Sequence, residues 1–317
     1  MSPTTPIRFV TTEEIRGALS MPGAIRAVAE ALVQLSTGRA LVPPRTSLEI
    51  ADLRTTALVM PAYLAGPKLV GLKLISLCED NPARGLPLAQ AVTIVMDAER
   101  GTPLAVLEAG HLTAVRTGAA SGAATDALAR RDARVAAVFG AGVQGRTQLE
   151  AIAAVRPLRK AYIVDTDRRA AAAFAEEMGR TLGLDVEPAD PSSALREADV
   201  VSTATTSTGP VFRDADLKAG VHINAVGSYK PRVREVPGET IRRAGLFVDE
   251  RRACLDEAGD IIMPLREGLI DESHIRAEIG EVLAGLKPGR RSDDEITVFK
   301  AVGNAVEDLA VAALVLG

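Results

Sequence analysis

The sequence has few of the residues that build disulfide frameworks and metal centres. It contains only two cysteines, Cys78 and Cys254, with no C-x-x-C pair, and three scattered histidines in 317 residues. This usage is typical of a reducing compartment and provides no thiolate ligand set, so we expect no catalytic metal. The N-terminus has no basic stretch followed by an apolar core, and no apolar run is long enough to span a bilayer. We therefore expect a cytoplasmic protein with no membrane partner.

The charge balance is nearly even, which leaves no strong field to attract a polyanion. The 41 acidic and 37 basic residues give a net charge of −4, so we expect no binding to nucleic acid. Hydrophobic residues make up 47% of the chain and charged residues 25%, as in ordinary globular proteins. At 317 residues the chain is long enough for about two domains.

The most informative stretch is a glycine-rich loop that follows a run of small and β-branched residues at 135–139. Such a run is typical of a strand that is buried on both faces. The loop has the spacing G-x-G-x-x-G, and residues 146–155 after it have the apolar period of a helix. In a strand–loop–helix unit this spacing binds the pyrophosphate of a dinucleotide at the helix N-terminus. The predicted contacts are Gly140, Ala141, Gly142, Val143, Gln144 and Gly145.

An acidic residue stands at the distance expected for a ribose ligand. A second apolar run, 161–164, ends in Asp165, about 20 residues after the last glycine, where a carboxylate binds the ribose hydroxyls of NAD. A 2′-phosphate there would meet a like charge, so we expect NAD; Arg168 and Arg169 keep NADP as an alternative. The other alternative is a βαβ turn that binds nothing.

The α/β alternation continues after the glycine loop. Runs at 199–203, 221–226, 246–249 and 296–299 are predicted strands, and 170–183, 252–255, 273–283 and 301–316 are predicted helices. Ligands of open parallel sheets lie at the carboxyl ends of the strands, so residues there are expected to contact the cofactor. With two further threonines, the set is Thr117, Thr166, Thr203, Ala204, Thr205, Val226 and Gly227.

The first third of the chain has a different pattern. Two helices are predicted near its start, from a capping box at Thr11 and from Ser20 with Pro22. Short β-rich runs then recur between turn residues, at 46–50, 56–60, 69–77, 91–97 and 104–108. With no helical segment between the runs, we expect an antiparallel sheet with the first two helices packed on it, a domain of α+β type. A helix of small residues, 109–130, is expected to lead into the dinucleotide domain.

Three basic residues stand out in this region: Arg45, Lys73 and Arg116. Lys73 interrupts an apolar strand, and on the core side its ammonium would need a partner or a ligand, because an unpaired buried charge is costly. The alternative is an edge-strand lysine that faces water. Arg45 and Arg116, taken singly, are of a type found mostly at surfaces.

Taken together, these segments resemble the ornithine cyclodeaminase/mu-crystallin family. The resemblance implies a Rossmann NAD(P)-binding domain at 116–299. It also implies a discontinuous α+β domain at 1–115 with 300–317, which binds substrate and mediates homodimerisation. The matching segments are PPRTS at Pro43, GLKLIS at Gly71, AVRTGAAS at Ala114, GAGVQG at Gly140, HINAVGSYKP at His222 and DEITVFKAVG at Asp294.

The resemblance also implies roles for the three basic residues. Arg45 and Arg116 would bind the carboxylate of an amino or imino acid, for which a planar guanidinium suits a bidentate pair. Lys73 would stand beside the reacting carbon, as a carboxylate ligand or as the group that handles a proton at nitrogen, and Lys73 and Arg116 are the predicted catalytic residues.

One position departs from the cyclodeaminase pattern. Cyclodeaminases of the family carry an acid in a G-G-D pattern after the A-V-G run, where this chain has Tyr229. A phenol is a poor base at neutral pH. We therefore expect an NAD(P)-dependent oxidoreductase that transfers hydride at the α-carbon of an amino or imino acid, as an imine (ketimine) reductase or an amino-acid dehydrogenase. The alternatives are ornithine cyclodeaminase, which converts L-ornithine to L-proline and ammonia, and a non-catalytic dinucleotide- or ligand-binding protein.

Overall fold

The computed structural model describes residues 6–317 and divides into two compact units. The first contains the chain up to Arg116 together with Asn304–Gly317, and the second contains Thr117–Gly303. The domain assignment made from the sequence, with its substrate and cofactor roles, stays a prediction. The predicted class is confirmed: the second unit holds an eight-stranded parallel sheet with helices, and the first unit combines helices with a mostly antiparallel sheet.

The first unit is a seven-stranded sheet with helices. Its sheet order is β1-β7-β6-β5-β4-β2, with β3 also paired to β4, and all pairs except β1–β7 are antiparallel. The elements are β1 Arg8–Val10, α1 Thr12–Ala18, α2 Met21–Ser36, β2 Ala40–Leu41, β3 Thr46–Ile50, β4 Thr55–Leu64, β5 Leu69–Cys78, β6 Ala89–Asp97, β7 Pro103–Glu108, the start of α3 Ala109–Leu128, and α11 Ala305–Leu316.

The helix that covers the middle of this sheet is α11; of the two helices predicted to pack there, α2 contacts the sheet at β2. α11 lies against β4 and β5, and α2 packs on α11. The reason is composition: α11 is apolar almost all round and is buried over nearly its whole length, whereas α2 has one apolar face. Gly71 on β5 allows the close approach, because a Cβ there would lie 2.4 Å from Leu309 Cδ2.

The two faces of the first sheet differ in what covers them. Along β5 the residues alternate between buried and exposed, and Lys73 belongs to the buried set with 1% exposure. β5 is a central strand, so the edge-strand alternative for Lys73 is wrong. The opposite face carries apolar side chains that remain substantially exposed, Val70, Leu72 and Leu74 on β5 with Ile94 on β6.

The second unit is a parallel sheet with the strand order β10-β9-β8-β11-β12-β15-β13-β14. Its elements are the rest of α3, β8 Val135–Phe139, α4 Val143–Val155, β9 Lys160–Val164, α5 Arg168–Leu182, β10 Asp185–Pro188, α6 Pro191–Glu197, β11 Val200–Thr203, β12 His222–Ala225, α7 Gly238–Arg243, β13 Gly245–Val248, α8 Arg251–Glu257, α9 Gly259–Arg266, β14 Ile275–Glu278, α10 Ile279–Leu283 and β15 Thr297–Lys300. Strands β8, β11, β12, β13 and β15 are fully buried.

The small residues of α3 allow this helix to pack closely against α4. A Cβ on Gly118 would lie 2.5 Å from the carbonyl oxygen of Thr147, so any larger residue there would push α4 away. The composition of this helix therefore serves packing next to the glycine loop.

One predicted helix is wrong in part. Residues 273–283 form a short 3₁₀ turn, then β14 at the sheet edge, and only then the short α10. Ile275 and Ile279 are four residues apart, which imitates a helical period, but Ile275 and Ala277 alternate with half-buried residues as in a strand. Pairing with β13 decides the outcome.

Across residues 6–317, no helix is both long and apolar enough to cross a membrane. Within the same range there is no group of three or more histidine, cysteine or acidic side chains that could hold a metal ion.

Candidate active site

The glycine loop after β8 has the geometry that a pyrophosphate needs. Gly140 has a φ of +104°, and a Cβ there would lie 2.5 Å from the carbonyl oxygen of Ala204. A Cβ on Gly145 would lie 2.0 Å from the carbonyl oxygen of Gly140, so only glycine lets α4 start this close to the strand. Gly142, in contrast, faces open space at the N-terminus of α4. The loop therefore fits a dinucleotide pyrophosphate.

Two charged side chains hold this loop in place. Asp165, just after β9, accepts a hydrogen bond from the backbone N–H of Ala141 at 2.7 Å. Arg146, from the first turns of α4, donates to the carbonyl oxygens of Ala141 and Gly142 at 2.5 and 3.1 Å. Asp165 thus joins the ends of two adjacent strands at the place where the ribose acid is expected, and its role as a ribose ligand stays a prediction.

A buried carboxylate that the sequence analysis missed organises the next two strand ends. Thr203 Oγ1 donates to Glu235 Oε2 at 2.9 Å, and Gly227 N–H donates to the same oxygen at 2.8 Å. Thr205 donates to Oε1 through both its N–H and its hydroxyl, each at 2.7 Å. Glu235 therefore links the segment after β11 to the segment after β12. Nothing in the local sequence around Glu235 distinguishes it from a surface acid.

A second layer lies behind Glu235. Asp260 Oδ1 accepts hydrogen bonds from the N–H groups of Glu235 and Val236 at 2.8 and 2.9 Å. Its other oxygen lies 3.0 Å from Lys300 Nζ, which also donates to the carbonyl oxygen of Ser228 at 2.5 Å. Glu235, Asp260 and Lys300 are all fully buried. Asp260 and Lys300 have a signal in the sequence, a charge beside apolar residues, but Glu235 has none, and spacing alone does not connect the three.

In the first unit, Lys73 and Arg116 meet at two acids of α11. Lys73 Nζ donates to Asp308 Oδ1 at 2.9 Å, and Arg116 Nη1 donates to Glu307 Oε2 at 2.8 Å. Arg116 Nε lies 3.5 Å from Asp308 Oδ1. All four side chains are at least nine-tenths buried. We call these residues, Lys73, Arg116, Glu307 and Asp308, the buried ion cluster.

The buried ion cluster tunes Lys73. Loss of hydration, opposed by the neighbouring Asp308 carboxylate, lowers the pKa of Lys73 to about 8. The second oxygen of Asp308 is buried and accepts no hydrogen bond. The cluster therefore combines an ammonium whose pKa lies near neutral pH with a carboxylate oxygen that has no hydrogen-bond donor. The acids were missed in the sequence, although two adjacent charges in an otherwise apolar helix are a usable signal.

The other predicted site residues are placed as follows. Arg45 is half-buried directly before β3, and its role at the substrate stays a prediction. Thr117 lies on α3, where its carbonyl oxygen accepts from Gln148 at 3.3 Å. Thr166 is exposed after β9. Ala204 and Val226 extend β11 and β12 by one hydrogen bond each, Ala204 N–H to Phe139 and Val226 N–H to Thr203.

Comparisons with known proteins show the family of the chain. The sequence profile described as the ornithine cyclodeaminase/mu-crystallin family matches residues 7–316. The chain belongs to this family. A Δ1-pyrroline-2-carboxylate reductase of Bacillus cereus is 39% identical over 308 residues, which are 96% of this chain and 94% of the relative.

Two solved structures are similar over almost the whole chain. The Δ1-pyrroline-2-carboxylate reductase of Thermococcus litoralis, in complex with NADH and L-proline, matches with a TM-score of 0.95 and 41% identity, covering 97% of this chain and 96% of that one. An archaeal alanine dehydrogenase dimer with bound NAD matches with a TM-score of 0.93 and 35% identity, covering 98% and 95%. The predicted family and the predicted class, an NAD(P)-dependent oxidoreductase of amino or imino acids, are confirmed.

The loop geometry makes a prediction with an internal control. Gly145→Ala places a methyl group against the Gly140 carbonyl, so we expect it to lower the free energy of unfolding by about 1–3 kcal/mol and to weaken NADH binding. Helix propensity alone predicts the opposite sign, a gain of about 1 kcal/mol. Gly142→Ala meets no protein atom and is the matched control for stability alone, with a change below about 1 kcal/mol, because its methyl group would enter the space assigned to the pyrophosphate. Thermal unfolding of both variants and NADH titration of Gly145→Ala measure this; a Gly145→Ala protein as stable as the wild type contradicts it.

Proposed function

We propose that the chain reduces a cyclic imino acid, Δ1-pyrroline-2-carboxylate, to L-proline with NADH. The observation that carries the proposal is the buried ion cluster, in which an ammonium with a pKa near 8 lies beside a guanidinium and a carboxylate oxygen that lacks a donor. An imino acid presents matching groups, since it has a carboxylate and a nitrogen that must gain a proton. The two similar reductases, at 39% and 41% identity, support the choice of this substrate.

The second unit would hold the cofactor. The glycine loop, Asp165 and the strand ends tied by Glu235 fit a dinucleotide, as their close backbone approach and the open space at Gly142 indicate. The bound cofactor supplies the hydride that the carbon of the C=N bond receives.

The first unit would supply the proton and bind the substrate. Arg116, with Arg45, binds the substrate carboxylate as a planar fork. Lys73 gives its proton to the imine nitrogen, and the second oxygen of Asp308 accepts the resulting N–H, so that the positive charge on nitrogen meets a carboxylate. Protonation of nitrogen and hydride addition to carbon together convert the imine to the amine, and Lys73 is left neutral until water restores its proton.

The loop after β12 favours reduction over cyclodeamination. Tyr229 is half-buried there, with Lys230 Nζ 5.8 Å from its ring centroid. No carboxylate stands at the position where the resemblance places the acid of cyclodeaminases. A reaction that expels ammonia needs such a base, whereas reduction of a preformed imine does not.

A substrate comparison tests the proposal. Purified protein with NADH is given Δ1-pyrroline-2-carboxylate, pyruvate with ammonium, or L-ornithine with NAD, and NADH absorbance and released ammonia are followed. We expect the highest kcat/KM with the cyclic imine. A higher value with pyruvate and ammonium would make the chain an alanine dehydrogenase, ammonia released from L-ornithine would make it a cyclodeaminase, and no turnover would favour a binding protein.

The lowered pKa of Lys73 predicts how the rate of the reaction depends on pH. Proton donation needs the charged form, so kcat/KM for imine reduction should fall as the pH rises through about 8, and oxidation of L-proline should rise over the same interval. Lys73→Met should lower kcat by about 10²–10⁴-fold, remove this limb of the profile, and leave the Kd for NADH unchanged. The matched control is Lys68→Met, because Lys68 is exposed and pairs with Glu99 at the surface. A Lys73→Met enzyme that kept the wild-type limb would rule out the proton role.

We further propose that two copies associate through the exposed apolar face of the first sheet, formed by Val70, Leu72, Leu74 and Ile94. An uncovered apolar face of this kind is unusual in a monomer, and the similar archaeal alanine dehydrogenase was solved as a dimer. The cytoplasmic location inferred from the sequence stays a prediction.

Acidic substitutions on that face test the proposed dimer. Leu72→Glu with Leu74→Glu should convert a dimer to monomers in analytical ultracentrifugation, because two carboxylates per copy would be buried at the interface. Leu286→Glu, which alters an exposed leucine of the second unit, is the control and should remain dimeric. A wild-type monomer at micromolar concentration, or a double variant that stays dimeric, contradicts the proposed interface.

A further inference from the structure

Glu235 is placed where the backbone of two strand ends needs an acceptor. The chain turns away from the sheet after β11 and after β12, and backbone N–H groups there need acceptors besides the strands; the N–H of Gly227 keeps a 3.2 Å bond to the carbonyl oxygen of Thr203. Glu235 receives hydrogen bonds from the N–H of Thr205 and the N–H of Gly227, together with the hydroxyls of Thr203 and Thr205. Four donors therefore converge on one carboxylate that is fully buried.

The approach is close enough to restrict the neighbouring residues. A Cβ on Gly227 would lie 2.5 Å from Glu235 Oε2, so this loop can close on the carboxylate only with glycine. Asp260 holds the backbone of Glu235 from behind, and Lys300 binds Asp260 and the carbonyl oxygen of Ser228, which follows Gly227. Both loops are thus attached to one rigid set of side chains beneath them.

We propose that Glu235 is a positioning residue that holds the loops after β11 and β12 in the shape that binds the nicotinamide half of the cofactor. The inference rests on the proposed function. The position of the two loops in the sheet supports it. Ligands of parallel sheets lie beyond the carboxyl ends of the strands, and the glycine loop assigned to the pyrophosphate follows β8, the neighbour of β11. On the side of β8 away from β9 and Asp165, the next strand ends are those of β11 and β12, so we place the nicotinamide there.

The chemistry requires a carboxylate and not an amide. An ionised carboxylate is acceptor-only and can receive all four donors, whereas a glutamine would turn an NH₂ group towards N–H or O–H donors. Burial raises the pKa of Glu235, and the Thr205 hydrogen bonds and the Lys300 charge oppose this rise. The ionised carboxylate of Glu235 and the hydrogen bonds donated to it therefore stabilise each other.

Glu235→Gln tests the inference through two ligands. NADH contains the nicotinamide and ADP-ribose lacks it, while both share the adenosine and the pyrophosphate. We expect the Kd for NADH to rise about tenfold, the Kd for ADP-ribose to change less than about twofold, and kcat for imine reduction to fall. Thr205→Val, which removes one donor and keeps the carboxylate, should shift the NADH Kd in the same direction by less, and it gives the answer if Glu235→Gln does not fold.

The matched control is Asp199→Asn. Asp199 is also a buried acid that accepts two backbone N–H groups, those of Arg134 and Val135, but it lies at the opposite edge of the same sheet. We expect it to lower stability without changing the ratio of the two Kd values. Equal weakening of NADH and ADP-ribose in Glu235→Gln, or no change in either, overturns the inference. The proposed function fails separately, if the wild type does not reduce the imine.

Discussion

The ion pair between Lys73 and Asp308 joins two segments of the first unit that are 235 positions apart in the chain. Neither charge could be buried alone, because an unpaired ammonium or carboxylate in an apolar interior costs several kcal/mol. Arg116 and Glu307 complete the set, and the four formal charges cancel. The contact between the first sheet and its covering helix α11 therefore also holds Lys73, the residue that we propose as the proton donor. A substitution that breaks this pair affects folding and chemistry together.

The second unit uses acidic side chains for another purpose, which is to hold the backbone of its loops. At its strand ends, carboxylates accept hydrogen bonds from backbone N–H groups. Asp165 does so for the glycine loop, Glu235 for the loops after β11 and β12, and Asp249 for Val302 and Gly303, just before the chain returns to the first unit. Each acid holds a loop by hydrogen bonds to its backbone, so the carboxyl end of the sheet keeps a defined shape.

Local patterns were enough to predict part of this structure. Gly140, Gly142 and Gly145 follow from spacing, because backbone approach in a βαβ turn depends only on residues next to each other in sequence. The β-rich runs of the first unit were also placed well, since alternation on a two-faced sheet is a local signal. Lys73 was recognised as anomalous, but its burial depended on whether its strand was central or at an edge, which pairing decides.

The remaining features arise from contacts between distant segments. Glu235, Asp260 and Lys300 meet only after three strands have paired, and no spacing in the sequence connects them. The strand β14 was mistaken for a helix because Ile275 and Ile279 share a helical period, and only pairing with β13 distinguishes the two. Helices α2 and α11 were both predicted, but which of them lies on β4 and β5 depends on contacts between segments that are far apart in the sequence.

The most direct test of the account is the titration of Lys73 itself. Lysines labelled with ¹³C at Cε report the charge of each ammonium by NMR, and comparison with Lys73→Met assigns the resonance. We expect a single resonance, absent in the variant, that titrates at about pH 8, well below an ordinary lysine. A Lys73 that stays charged beyond pH 10 would contradict the proposal that this side chain gives its proton to the substrate nitrogen.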